Sequence, residues 1–177
     1  MDIFPIMPEV GDYGSAIDRG VNFLYDFNKG DFVIKDGRFI QLNGDAGVVF
    51  WIEKTLRTEY EISGVYAYTE YGTKLDELRG IILPKEVEKV ALEGNVKEAL
   101  LQHERISSVT LVEYKRESDY AKARFEIELL PLDDMEEEFD YTSEQGFTRL
   151  TTLEEIKDFI GINVTGDNSF IINTLTL

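Results

Sequence analysis

Apolar and polar residues alternate in two stretches of the chain, and both patterns predict antiparallel hairpins. From Phe32 to Leu42, apolar residues stand on both sides of Asp36-Gly37, a dipeptide favoured in type I′ turns because both central residues need positive φ. The second stretch lies between Ser108 and Leu129, and its second half alternates apolar with charged residues. The apolar face of that half consists of Ala121, Ala123, Phe125, Ile127 and Leu129. One face of this second hairpin is therefore predicted to be buried.

Helical spacing of apolar residues appears between the two hairpins. A first helix is predicted to begin near Asn43 or Asp45 as N-cap and to direct Ile52 and Leu56 inward. A shorter helix is predicted from Thr73 to Arg79. These helices, together with the hairpins, indicate an α+β fold.

The third predicted helix, from Lys85 to His103 with Pro84 at or near its first turn, carries two apolar stripes on nearly opposite sides. One stripe consists of Val87, Val90, Ala91 and Leu101, and the other of Leu92, Val96, Ala99 and Leu100. Two explanations are open. Either one stripe packs on the chain's own sheet and the other on a partner subunit, or Gly94-Asn95 kinks or breaks the helix so that one core takes both halves.

Beyond residue 130 the pattern changes twice. Residues 131–148 hold seven acidic residues and no Lys or Arg, which predicts a solvated linker. The capping box Thr152-x-x-Glu155 then begins a short helix, and two β-rich runs flank Gly166-Asp167-Asn168. We therefore divide the chain into an N-terminal arm (1–31), a core domain (32–130), an acidic linker (131–148) and a C-terminal helix and strand extension (149–177).

Composition supports one folded core. The chain has 177 residues, of which 43% are hydrophobic and 12% aromatic, so it is long enough for a single core of ordinary size and too rich in aromatics for a disordered chain. We predict a small antiparallel sheet of hairpins packed on two or three helices, with the long third helix in the centre.

Charge and residue types narrow the function. Because 35 acidic residues outnumber 18 basic ones, the net charge of −17 would repel nucleic acids and anionic lipids, and neither is an expected partner. The acidity either keeps the protein soluble or faces a basic partner. One histidine and no cysteine argue against a transition-metal site, and we expect His103 to be structural. No nucleophile elbow or phosphate-binding loop occurs, so we name no catalytic residue, metal or cofactor.

Tyrosines are concentrated in the connection from Leu56 to Leu78. Such rings supply large contact area at low entropic cost, which favours binding over catalysis. The rings either pack on the long helix while their hydroxyls reach polar partners at a subunit seam, or cover the chain's own core. We expect Gly72 to close this turn with positive φ.

An ordered set of residues resembles the baseplate-wedge, or sheath-initiator, proteins of contractile phage tails and R-type bacteriocins. The resemblance covers Phe32 to Leu130 and depends on Trp51-Ile52-x-Lys54-x-Leu56-x-Thr58-Glu59, Tyr66, Tyr71-Gly72, Leu75-x-x-Leu78 and Glu98-Ala99-Leu100. Two positions depart from the family. Tyr60 stands where the family often has arginine, and the related Glu-Pro-Arg-Ile motif is His103-Glu104-Arg105-Ile106 here, so only Arg105 and Ile106 carry over.

The resemblance implies a non-enzymatic baseplate subunit, present in several copies around the tail, that joins larger wedge proteins to the tail sheath. The tail tube is a further candidate partner. Assembly is expected in the bacterial host cytoplasm, followed by incorporation into a phage or bacteriocin particle. The expected partner-binding residues are Tyr60, Tyr66, Tyr68, Tyr71, Gly72, Val96, Leu100, Arg105, Ile106, Phe170, Ile171 and Ile172.

Two of these expectations are specific. The run from Ser169 to Leu177 is expected to donate an edge strand to a partner, because main-chain hydrogen bonds then supply affinity. Arg105 is expected to make a buried or interfacial charged contact, and Arg105→Ala to impair assembly while leaving the isolated fold largely intact. The alternatives are a small cytosolic α+β enzyme or ligand-binding module, and another tail part such as a tube initiator or completion protein.

Overall fold

The computed structural model describes residues 22–60, 71–116, 121–131, 148–157 and 159–176. In these ranges the helices are α1 (Gly44–Leu56), α2 (Lys85–Leu100) and α3 (Leu153–Ile156), with a 3-10 helix at Leu75–Leu78. The strands are β1 (Asn22–Phe23), β2 (Tyr25–Asp26), β3 (Asp31–Phe32), β4 (Ile34–Lys35), β5 (Arg38–Leu42), β6 (Ile106–Arg116), β7 (Ala121–Leu129), β8 (Thr148–Leu150), β9 (Ile162–Gly166) and β10 (Ser169–Thr176). The α+β prediction is confirmed.

The first predicted hairpin is present as β4 and β5, which pair antiparallel. Asp36 and Gly37 have φ of 52° and 75°, as the two central residues of a type I′ turn require. The strand β5 also pairs antiparallel with β1 and parallel with β8. We call the set β1, β4, β5 and β8 the small sheet.

The second predicted hairpin is present as β6 and β7, within a four-stranded antiparallel sheet of order β6-β7-β10-β9. We call this the large sheet. The five apolar residues of β7 that alternation assigned to one face are all buried, with Phe125 and Ile127 fully enclosed. Alternation therefore identified the core-facing side of β7 correctly.

Two helices follow the prediction closely. In α1, Val49 and Ile52 are fully buried and Leu56 is nearly so. The helix α2 begins after Pro84 and ends at Leu100, three residues before the predicted end. It continues without interruption through Gly94, so a break at that glycine is excluded. The shorter predicted helix, over residues 73–79, is a single 3-10 turn of four residues.

The C-terminal segment, from residue 148 on, contributes strands to the small sheet and to the large sheet. Its strand β8 pairs with β5, and the strands β9 and β10 extend the large sheet from β7. The capping box is confirmed, since Thr152 Oγ1 accepts from the Glu155 N–H and the Glu155 carboxylate accepts from the Thr151 and Thr152 N–H groups. Those backbone hydrogen bonds lower the pKa of Glu155. Residues 132–147 of the predicted acidic linker lie outside the described ranges.

Candidate protein-protein interface

The two apolar stripes of α2 have opposite environments. Leu92, Val96 and Leu100 are fully buried in the core that they share with the large sheet. On the outward side Val87 is 50% exposed and Val90 is 68% exposed. The prediction that Val96 and Leu100 face a partner is therefore wrong, because both side chains lie inside the chain's own core.

Further exposed aliphatic residues flank the outward stripe in sequence. Ile81 and Ile82 precede the helix, and Ile82 is 92% exposed. Leu101 follows the helix and is about half exposed. We call Ile81, Ile82, Val87, Val90 and Leu101 the α2 outer surface. Single exposed aliphatic residues are ordinary, but five within 21 consecutive residues make this segment the candidate interaction surface.

The end of β6 anchors the beginning of α2. The Arg116 Nη1 atom donates to the Leu83 carbonyl at 2.7 Å and lies 2.8 Å from Glu88 Oε2. Burial, together with the Glu88 carboxylate, raises the pKa of Tyr114 on the same strand. Arg116 thus ties the end of β6 to the Leu83 carbonyl before Pro84 and to the Glu88 side chain near the start of α2.

Arg105 makes the buried charged contact that the sequence predicted. Its Nη2 atom lies 2.8 Å from Asp45 Oδ1, and the two side chains are 10% and 16% exposed. Its Nε atom donates to the Leu130 carbonyl at 3.1 Å. The guanidinium thus joins the first turn of α1 to the end of β7. The adjacent Ile106 is buried in the same core, so neither side chain lies on the α2 outer surface.

His103 has a structural position beside Arg105. Its Nδ1 atom accepts a hydrogen bond from the Arg105 N–H at 3.1 Å. Its ring packs edge-on against Trp51 of α1, with centroids 4.6 Å apart. These contacts tie the end of α2 to α1.

The tyrosine connection is described at its two ends only; Tyr66 and Tyr68 lie outside the described residues. The Tyr71 ring packs edge-on against Trp51 at 5.9 Å between centroids. The Tyr60 ring lies 4.6 Å from Lys74 Nζ, which also bonds Glu98 of α2 at 3.1 Å. That hydrogen bond raises the pKa of Lys74.

Gly72 has the predicted positive φ, at 107°. A Cβ atom at this position would lie 2.8 Å from the Thr58 carbonyl oxygen, so no larger residue fits without movement of the backbone. On either side of it, Thr73 N–H donates to Thr58 O and Tyr60 N–H donates to Thr73 O. The glycine therefore allows two chain segments to approach at the base of the tyrosine connection.

The C-terminal strand does not present a free edge. Phe170 is fully buried and Ile172 is nearly so, while the less buried Ile171 pairs with Glu126 of β7 and Asn163 of β9. Because β10 lies between two hydrogen-bonded neighbours, the expectation that it donates an edge strand is wrong in this conformation. The side-chain pattern alone could not tell an inner strand from an edge strand.

Other kinds of site have little support in the described part of the chain. A shallow open depression beside Tyr60, Lys74 and Asn95 encloses only about 10 Å³, whereas small-molecule pockets usually occupy about 300–1,000 Å³. Across the described ranges, no group of three His, Cys, Asp or Glu residues is placed to hold a metal ion. Nor does any helix there have the length and apolar character needed to cross a membrane.

The residues that the fold leaves exposed were not predicted from sequence as partner-binding residues. Val87 and Val90 were recognised as part of one stripe, but the partner was expected at Val96 and Leu100 of the other stripe. Ile81 and Ile82 were not selected, although these adjacent isoleucines lie between Gly80 and Pro84 and belong to no predicted helix or strand.

Comparison with known proteins adds one finding. Residues 21–130 match the family model described as contractile injection system sheath initiator. None of the curated proteins matches the chain. The matched range extends from just before β1 to the residue after β7, so it includes α1, α2 and the β6–β7 hairpin.

Proposed function

The chain belongs to the contractile injection system sheath initiator family and is a structural component of such a particle, and from this premise we propose that it joins larger baseplate wedge proteins to the tail sheath without catalysing a reaction. In this proposal several copies surround the tail. They assemble in the host cytoplasm before incorporation into a phage or bacteriocin particle.

The α2 outer surface carries the proposal. It is the wedge-binding surface, because aliphatic side chains with about half or more of their surface exposed to water gain most from burial against another protein. The Arg116 contacts support this assignment, since they hold the start of α2 in place before a partner arrives. A helix from a wedge protein is the partner that fits an exposed helical stripe.

The sheath contact is assigned to the solvent-facing side of the large sheet. On β7 that side carries Lys122, Arg124, Glu126 and Glu128, while the other side faces the core. A polar surface of mixed charge gives specificity and orientation more than affinity. Tyr60 and Tyr71 lie close to α1 and α2, and we propose that the tyrosine connection adds contacts at the seam between subunits.

A binding experiment with matched substitutions tests the proposal. Val87→Asp/Val90→Asp places two charges on the α2 outer surface, and Ile34→Asp places one at a residue of similar exposure on β4. Purified wedge proteins from the same particle are titrated with each variant in the absence of sheath protein. We expect the double variant to bind at least about tenfold more weakly, a loss of about 1.4 kcal/mol or more, and Ile34→Asp to bind like the unchanged chain.

The same variants are then tested for assembly of sheathed particles. The proposal predicts few sheathed tails with Val87→Asp/Val90→Asp and normal yields with Ile34→Asp. Equal wedge binding by all three chains would contradict the assignment of the α2 outer surface. Sheathed particles that lack this chain altogether would contradict the joining function itself.

A further inference from the structure

One edge of β7 is covered by residues that lie outside the family match. The match ends at residue 130 and β7 ends at Leu129. Within the described residues up to 131, β7 pairs only with β6. Its other edge is taken by β10, which pairs antiparallel with it from Glu128 opposite Ser169 to Lys122 opposite Thr176. Without the C-terminal segment this edge of β7 would be open.

An open strand edge presents a row of unpaired N–H and C=O groups to any strand that matches it. The sequence of β7 matches itself. In an antiparallel pair of two β7 strands related by a twofold axis at Phe125, residue numbers opposite each other add up to 250. The solvent-facing pairs are then Lys122 with Glu128 and Arg124 with Glu126. The core-facing pairs are Ala121 with Leu129, Ala123 with Ile127, and Phe125 with its own copy.

Both sets of pairs favour association. Opposite charges that face each other across strands stabilise a sheet, and like charges destabilise it. A twofold arrangement also uses the same surface of both subunits, which makes a closed dimer. The actual neighbour β10 offers no charge at the opposing positions, since Glu128 faces Ser169 and Glu126 faces Ile171.

We propose that the β9–β10 hairpin is an intramolecular cap that keeps two copies of this chain from pairing through β7. The cap is held by the burial of Phe170 and Ile172 in the common core. It replaces the self-complementary edge by β9, a five-residue strand whose pairing with β10 shifts register between Gly166 and Val164. Short and bulged strands are poor templates for another strand. This inference does not depend on the wedge-binding proposal, because it concerns the isolated chain.

The first test weakens the cap in the full-length chain. Alternate residues of β7 bond β10, beginning with the Leu129 N–H that donates to the Asn168 carbonyl, so the Ile172 N–H faces Phe125 of β7. Ile172→Pro removes this N–H group, and Asn163→Pro removes one from the outer strand β9, which does not pair with β7. By light scattering and sedimentation, we expect the unchanged chain and Asn163→Pro to keep a mass of 20.3 kDa. Ile172→Pro is expected to reach twice that mass as concentration rises, with hydrogen exchange showing α1 and α2 still protected.

The second test exchanges charges in the Ile172→Pro chain. Lys122→Glu/Arg124→Glu places only acidic residues opposite one another and should abolish the dimer. Adding Glu126→Lys/Glu128→Arg restores opposite pairs in reversed order and should restore it. If Ile172→Pro unfolds α1 and α2, the milder Ile172→Ala variant replaces it.

Two results would overturn the proposal. One is a monomer at every concentration in both the Ile172→Pro and the Ile172→Ala chains. The other is association that is the same for all three charge patterns, since that would show nonspecific contact of exposed apolar surface.

Discussion

The two faces of α2 are built from similar aliphatic residues, yet one lies in the core and the other in water. Leu92, Val96 and Leu100 are fully buried, whereas Val87 and Val90 are half or more exposed. The difference does not come from hydrophobicity, because leucines and valines occur on both sides. It shows that the fold needs only one stripe of this helix, and the second is available for the wedge contact proposed above.

The largest expected effect is a difference in the free energy of unfolding between substitutions on the two faces. Leu100→Ala removes a fully buried side chain and should lower the free energy of unfolding by about 2–5 kcal/mol. Val90→Ala should change it by no more than about 0.5 kcal/mol, because the side chain is mostly in water already. Urea unfolding of both variants measures the difference. Similar losses in the two variants would contradict the division of the helix into an inner and an outer face.

An intermediate effect is expected at Arg105, on the inner side of the molecule. Arg105→Ala should lower the free energy of unfolding by about 2–3 kcal/mol, because it leaves the largely buried Asp45 carboxylate without its cation. This replaces the sequence-based expectation of an intact fold. Arg79→Ala, which breaks the exposed pair with Asp76, is the matched control and should cost about 0.5 kcal/mol or less. Equal unfolding energies for the two variants would show that the Asp45 contact contributes little.

The smallest expected effect lies away from both faces, in the Thr152–Glu155 capping box of α3. Glu155→Gln should destabilise the chain by about 0.3–1.5 kcal/mol at pH 7. Backbone hydrogen bonds depress the pKa of Glu155 in the folded state, so its stabilisation is present above the ordinary glutamate pKa of about 4.3 and is lost as the pH falls through the depressed value. The difference in stability between the two chains should therefore shrink toward pH 3. A difference that stays constant from neutral to acid pH would contradict this account.

Local features of the fold could be predicted from sequence. Asp36-Gly37 predicted a tight turn because few dipeptides accept two positive φ values, and the alternation in β7 predicted a half-buried strand. The Thr152 and Glu155 capping box predicted the start of α3. In each case a pattern within nine consecutive residues determines the structure.

Features that depend on distant residues could not be predicted. Arg105 pairs with Asp45, 60 positions earlier, and with 35 acidic residues in the chain no local pattern selects that partner. The position of β10 beside β7 is equally nonlocal, because an apolar strand pattern fits an inner or an edge position alike. The choice between the two stripes of α2 failed for a related reason, since both have the size and spacing needed to pack on a sheet.

The most direct test of the account is the accessibility of residue 90 in the free chain and in the assembled particle. The chain has no cysteine, so Val90→Cys introduces a single thiol on the α2 outer surface, and Asp167→Cys introduces one in the exposed β9–β10 turn. Maleimide labelling rates are measured for both variants in the two states. We predict that Val90→Cys reacts rapidly in the free chain and at least about tenfold more slowly in the baseplate, as expected for a side chain at the centre of an interface. Equal labelling rates at residue 90 in the free chain and in intact baseplates would contradict the central claim that this face of α2 binds the wedge.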